Sequence, residues 1–174
     1  KPEYHTILFP DSILNTESRN KDVLVKDVSH TNSIHKIFLA SMKGLEQLKR
    51  GDILLIYRTG DGAGPAKYRS VISSVCVVEE IKTAKDFASI EEYLKYVEPY
   101  SIFSEVDLRT WFVRNNMVVI KMTYNVAFNR RITRNELIQE VGLESEYWGF
   151  FQITDEQFKD IIERGQVDES VIVD

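Results

Sequence analysis

The sequence predicts an α+β fold: a mixed or antiparallel sheet curled into a small β pseudo-barrel, with helices packed outside. Three observations carry this reading. Six runs rich in Val, Ile, Tyr and Phe are each bounded by turn residues, which is the composition of strands. Three Ser/Thr-x-x-Glu/Gln boxes announce helix starts between and after them. Strand follows strand several times, so the regular βαβ alternation of a doubly wound parallel sheet is missing.

In chain order, the first strand is YHTILF (4–9). Residues 10–33 are ambiguous, with a short strand possible at VLVK (23–26), and IHKIFLA (34–40) follows. A short helix in SMKGLEQLKRG then leads into the strand DILLIYR (52–58), and YRSVISSVCVVEEI (68–81) supplies a long one. Ser89-Ile-Glu-Glu92 opens a helix whose Tyr93, Leu94 and Val97 share a face and stop before Pro99. A further helix runs from Ser104 through VDLRTWFVRN. After the strand MVVIKMTYNVAF (117–128), Thr133-Arg-Asn-Glu136 opens a helix ending at Gly142. The strand YWGFFQI (147–153) precedes the last helix, which starts at Thr154-Asp-Glu-Gln157 and ends at Gly165.

Composition narrows the function. At 174 residues, 43% hydrophobic and 28% charged, the chain matches one globular domain over residues 1–174, with no repeat and no linker-like stretch. No apolar run approaches the ~20 residues a membrane-spanning helix needs. A single cysteine, Cys76, excludes an internal disulfide framework and fits a reducing compartment, so a cytoplasmic location is expected. It sits in the strand-like run SSVCVVEE, where a buried inert thiol is expected rather than a nucleophile. His5, His30 and His35 show no metal-ligand spacing, and no metal or other cofactor is expected. No GxSxG or supported Cys–His pair stands out, so the expectation is a chain without catalytic residues of its own.

The net charge of −5 argues against indiscriminate nucleic-acid binding but hides an asymmetry. Residues 1–87 carry 13 Lys+Arg against 11 Asp+Glu, and residues 88–174 carry 9 against 16. A mildly basic face on an acidic protein suits a selective reader; ordinary variation in surface charge would look the same.

The basic groups collect around RGDILLIYRTGDGAGPAKYRS (50–70). RGD reads as helix-to-strand punctuation, with Arg50 ending a helix, Gly51 capping it and Asp52 entering a strand. Gly60-Asp-Gly-Ala-Gly64 is not a phosphate cradle, because Pro65 and a strand follow where a P-loop needs GK[ST] and a helix. It is a hairpin connection. Tyr57, Arg58, Lys67, Tyr68 and Arg69 flank it, and guanidinium groups beside aromatic rings can grip a phosphate and stack a base. They would equally suit a solvated hairpin end. Trp111 and Trp148 fit a core or the wall of an aromatic pocket. Arg130-Arg131 reads as a loop pair, either a solvated turn or a phosphate contact.

The stretch RGDILLIYRTG…AKYRSVISSVCVVEEI resembles the centre of the PUA-like superfamily, most closely its EVE and ASCH branches. KPEYHTILFPDS is similar to their first strand and turn, and YWGFFQITDEQFKDIIERG to a closing strand and helix. The resemblance implies a PUA-like mixed β pseudo-barrel whose mouth holds RNA or a single flipped, often modified, base. It places Tyr57 and Arg58 at the pocket or its rim, Ser12 as a polar contact, and Trp111 or Trp148 as the stacking ring. The basic GxKxxTxR-type motif of ASCH domains is not visible, so no amidohydrolase-like activity is carried over. Such domains are often fused behind a catalytic partner, such as an acetyltransferase or a nuclease; the chain opens on lysine, and a module of a longer protein is expected. Three functions stay open: a reader of RNA or modified DNA, a protein-interaction or regulatory module beside a catalytic domain, and a small hydrolase of modified nucleosides.

Overall fold

The computed structural model describes residues 5–8, 34–59, 64–101 and 103–167. Ser12, the run at 23–26 and residues 60–63 of the glycine-rich loop lie outside these. Six strands form one sheet: β1 (His5–Leu8), β2 (His35–Ala40), β3 (Ile53–Arg58), β4 (Val71–Thr83), β5 (Val118–Thr133) and β6 (Phe150–Ile153). Their order is β2-β5-β4-β3-β1-β6. Only β1 and β3 are parallel; the other pairs are antiparallel. The helices are α1 (Ala66–Arg69), α2 (Ile90–Val97), α3 (Glu105–Phe112), α4 (Arg134–Gln139) and α5 (Asp155–Arg164). The expected α+β class and strand-to-strand connectivity are therefore present.

Strand residues point alternately to opposite faces, and here both faces are buried. Ile53, Leu55 and Tyr57 of β3 pack with Leu137 of α4 and Phe158, Ile161 and Ile162 of α5. Leu54, between them, joins Phe38, Cys76, Ile120 and Met122 on the other face. Ile37 and Leu39 of β2 pack under α2 and α3, against Tyr93, Leu94, Val97 and Leu108. Two helical layers thus cover different parts of one bent sheet. Cys76 lies in the middle of it, and burial pushes its thiol up to about 12, which fits the inert role read from its strand.

The capping boxes at Thr133 and Thr154 form on both sides, as the sequence predicts. At Ser89 only half the box forms: its hydroxyl accepts from Glu92 N–H, while Glu92 reaches one residue further back to Ala88 N–H. Two further boxes use aspartate, Ser104 with Asp107 and Thr83 with Asp86. They escape a search for Glu or Gln.

Three expectations need correction. The segment 41–51 is not a helix but one 3-10 turn, Leu45–Gln47, squeezed between left-handed Gly44 (φ +93°) and Gly51 (φ +92°). Arg50 therefore ends no helix, although Asp52 still closes the turn by accepting from Lys49 N–H at 2.8 Å. The strand expected from Tyr68 begins at Val71; Pro65 fixes its own φ at −58° and starts α1 instead. Arg130 and Arg131 lie within β5 rather than in a loop. The last helix does end at Gly165, which keeps a right-handed φ of −71°, while Gln166 takes the left-handed position. Gly165 is needed for space: a Cβ there would stand 2.5 Å from the Phe128 ring.

Candidate functional site

Strand register decides what meets at the end of the sheet. Arg58 is paired with Val71, and Val71 with Thr133, so the end of β3, the start of β4 and the end of β5 lie side by side. Leu8 is paired with both Ile56 and Phe150, which brings the end of β1 and the start of β6 to the same edge. Tyr57, Arg58, Lys67, Tyr68, Arg69, Arg131 and Trp148 are thereby collected at one end of the molecule. Two irregularities shape it. β4 and β3 slip between Ile56 and Tyr57, where the Ser73 hydroxyl donates to the Ile56 carbonyl at 3.3 Å. β5 departs from β4 over residues 128–131 before pairing resumes at Ile132.

That departure is held by the end of α5. Arg130 N–H donates to the Gly165 carbonyl at 3.1 Å, and Asn129 Nδ2 to the Gln166 carbonyl at 2.7 Å. The Arg130 guanidinium donates to the Arg164 carbonyl and pairs with Glu136. Burial raises the Glu136 pKa, but the Thr133 N–H and hydroxyl and the Arg130 guanidinium outweigh it and hold the carboxyl below its ordinary value. Arg130 is thus a strut between β5, α4 and α5. Arg131, its exposed neighbour, has no ion pair among the described residues.

Behind the edge stands an aromatic wall. Tyr57 is 1% exposed and belongs to the core rather than the rim. Its ring centroid lies 5.7 Å from that of Trp148, which is 9% exposed and meets Phe151 edge-on at 5.4 Å. The Arg134 guanidinium carbon sits 4.4 Å from the centre of the Trp148 ring, a cation–π stack. Arg134 N–H donates to the Ser70 carbonyl at 2.9 Å, tying the start of α4 to the end of α1.

Two tyrosines remain outside. Tyr68 on α1 is 61% exposed, with Lys67 Nζ 5.9 Å from its ring centre. Tyr147, next to Trp148, is 57% exposed and folds back over Gly149. A Cβ on Gly149 would fall 2.0 Å from that ring, so a larger residue there would push the ring aside.

Trp111 is elsewhere. It is half-buried on α3 with the cluster beneath α2, and the Arg114 guanidinium carbon lies 4.1 Å from its ring centre. Reading the sequence missed Arg134 and Tyr147. Arg134 follows a helix cap and meets its tryptophan from fourteen residues away, which no local pattern reveals.

At the opposite end of β4 a second polar cluster forms. Glu79 Oε1 lies 2.5 Å from His35 Nδ1 on β2, accepts from the Thr123 hydroxyl on β5, and has Lys121 Nζ 3.4 Å away. Tyr96 donates to Glu80 at 2.6 Å. Glu79, Glu80 and Lys121, with Lys49 and Arg50, line an open cavity of about 740 Å³. Its charges largely satisfy one another. Among the described residues no group of three His, Cys, Asp or Glu could hold a metal ion, and no helix is long and apolar enough to cross a membrane.

No protein-family model matches the sequence, nor does any curated protein. Solved structures do. The ASCH protein of Zymomonas mobilis aligns with a TM-score of 0.57 at 9% identity, over 92% of this chain and 94% of that one. A point mutant of the same protein reaches 0.59 at 9% identity, over 92% and 98%. The fold is PUA-like, of the ASCH kind. A protein of Agrobacterium tumefaciens shares it at a TM-score of 0.51 and 8% identity, over 94% of each chain. Human thymocyte nuclear protein 1, solved with DNA containing 5-methylcytosine, aligns at 0.49 and 11% identity, too loose a likeness to bear on function. At such identities the ASCH-like fold is what is shared, and site residues have to be argued from this chain alone.

Proposed function

We propose that this ASCH-like chain is a nucleic-acid reader that binds RNA or modified DNA at the sheet end carrying Arg58, Lys67, Tyr68, Arg69, Arg131, Arg134 and Trp148, with Ser12 a further contact if it joins them. The observation that carries the reading is the company these cations keep. Arg58, Arg131 and Arg134 have no ion pair among the described residues, although the protein as a whole is acidic. Guanidinium groups without a carboxylate partner, beside aromatic rings, match what phosphates and bases require. Arg130 and Trp111 drop out as direct contacts, the first as a strut and the second by distance along the fold. The reading needs no chemistry from the chain. A fused catalytic domain and a cytoplasmic setting fit it and remain part of the proposal.

Fluorescence anisotropy with labelled RNA and methylated DNA at several salt concentrations tests it. About three phosphate contacts give a salt slope of roughly −2 to −3 on a log–log plot. Arg58→Ala and Arg134→Ala should each weaken binding about 3- to 10-fold and make the slope shallower by about one. If both variants bind like the parent, the site assignment is wrong.

A further inference from the structure

From the same sheet end we infer that Tyr68 and Tyr147, rather than Tyr57 and Trp148, are the stacking rings, and that the nucleic acid they take is single-stranded. The inference rests on the nucleic-acid reading above and specifies its substrate class. Access decides first. Tyr57 is sealed in the core, and the exposed remnant of Trp148 is overlaid by the Arg134 guanidinium. A base reaching either ring must displace that cation and open the core.

Tyr68 and Tyr147 need no such opening. Tyr68 stands on the turn that Arg134 anchors through the Ser70 carbonyl, and Tyr147 immediately precedes the Trp148 on which Arg134 stacks. Helix α1 buries none of its residues, so packing does not explain why it presents Lys67, Tyr68 and Arg69 in sequence. The Tyr147 ring lies where a Cβ at 149 would fall, and its backbone carbonyl accepts from the Ser145 hydroxyl at 2.7 Å.

Exposed rings at a sheet end that carries cations can accept bases only from a strand whose bases are unpaired and free to turn outward. In a duplex those faces are already stacked. The site therefore discriminates by strandedness, with one ring for each of two bases and the cations on the phosphates.

The probes are a fluorescein-labelled uridine octamer, the deoxythymidine octamer and a duplex of the same length. Tyr68→Ala and Tyr147→Ala should each weaken single-strand binding roughly 5- to 100-fold, with little change for the duplex. Tyr68→Phe and Tyr147→Phe should bind as the parent does. Gly149→Ala displaces the Tyr147 ring without removing it and should lose single-strand affinity as Tyr147→Ala does. Circular dichroism confirms that each variant is folded. If both alanine variants stay within twofold of the parent while Arg58→Ala weakens binding, stacking by these tyrosines is wrong and the reader survives. Equal losses on duplex and single strand also overturn the inference, since they assign the tyrosines to backbone contacts. A parent that binds no oligonucleotide at low salt removes the reader and this inference together.

Discussion

Single residues carry constraints here that their type alone does not announce. Gly165 looks like an ordinary helix-ending glycine, yet its φ is right-handed and the left-handed duty falls to Gln166. Its lack of a Cβ is what matters, because the buried Phe128 ring lies 2.5 Å from where that atom would be. Gly165→Ala should therefore overpack the contact between β5 and α5 and cost about 1–3 kcal/mol in urea unfolding. A neutral or stabilised variant would show that Phe128 moves aside freely. The sequence displays the glycine but not the ring of Phe128, far upstream, that requires it. Tyr57 has the same lesson in reverse. Its place at the end of an apolar strand next to arginine suggests a rim, yet it continues the inward alternation of Ile53 and Leu55 into the core.

Elements were legible where the signal is local. The capping boxes at Thr133 and Thr154 set helix starts to the residue, because hydroxyl, amide and carboxyl lie within four positions. The one at Thr133 also bears on the candidate site. It fixes the first turn of α4, and with it Arg134, while Glu136 holds Arg130 from the same turn. Thr133→Ala should cost about 0.5–2 kcal/mol in thermal or chemical unfolding. It should also weaken oligonucleotide binding by more than a comparable cap loss at Thr154→Ala, which touches no proposed contact. Equal binding by the two variants would separate α4 from the site. Illegible were the segments where competing local signals are short: the turn at Leu45–Gln47, between two left-handed glycines, and α1, a single turn started by a proline inside what reads as a strand.

At the scale of the molecule, polar groups at the far end of the sheet hold its layers together. Glu79 links β2, β4 and β5 through His35, Thr123 and Lys121. Burial raises its pKa, but hydrogen bonds from Thr123 and His35 and the charges of His35 and Lys121 prevail, so the folded value lies below the ordinary 4.5. A carboxyl depressed on folding contributes stability above its unfolded pKa and loses it as pH falls through the folded one. Glu79→Gln should cost about 1–3 kcal/mol at pH 7, and the gap between variant and parent should close as pH falls from about 5 toward 3. A gap constant across that range would make the carboxylate charge irrelevant. The fold class could be read from strand and helix signals, whereas this cluster and the Arg134–Trp148 stack could not, since both join residues that only the folded sheet brings together. The sheet order has a consequence for how the chain is made. β1 lies between β3 and β6, so residues 5–8 pair on one side with 53–56 and on the other with 150–153. During synthesis β1 can dock on β3 early, but its other edge waits for nearly the whole chain to emerge. Until then it offers unpaired amides and carbonyls to any neighbouring strand. Recovery of soluble protein should therefore depend on how quickly the last strand follows the first, in a race between self-completion and capture by another nascent chain.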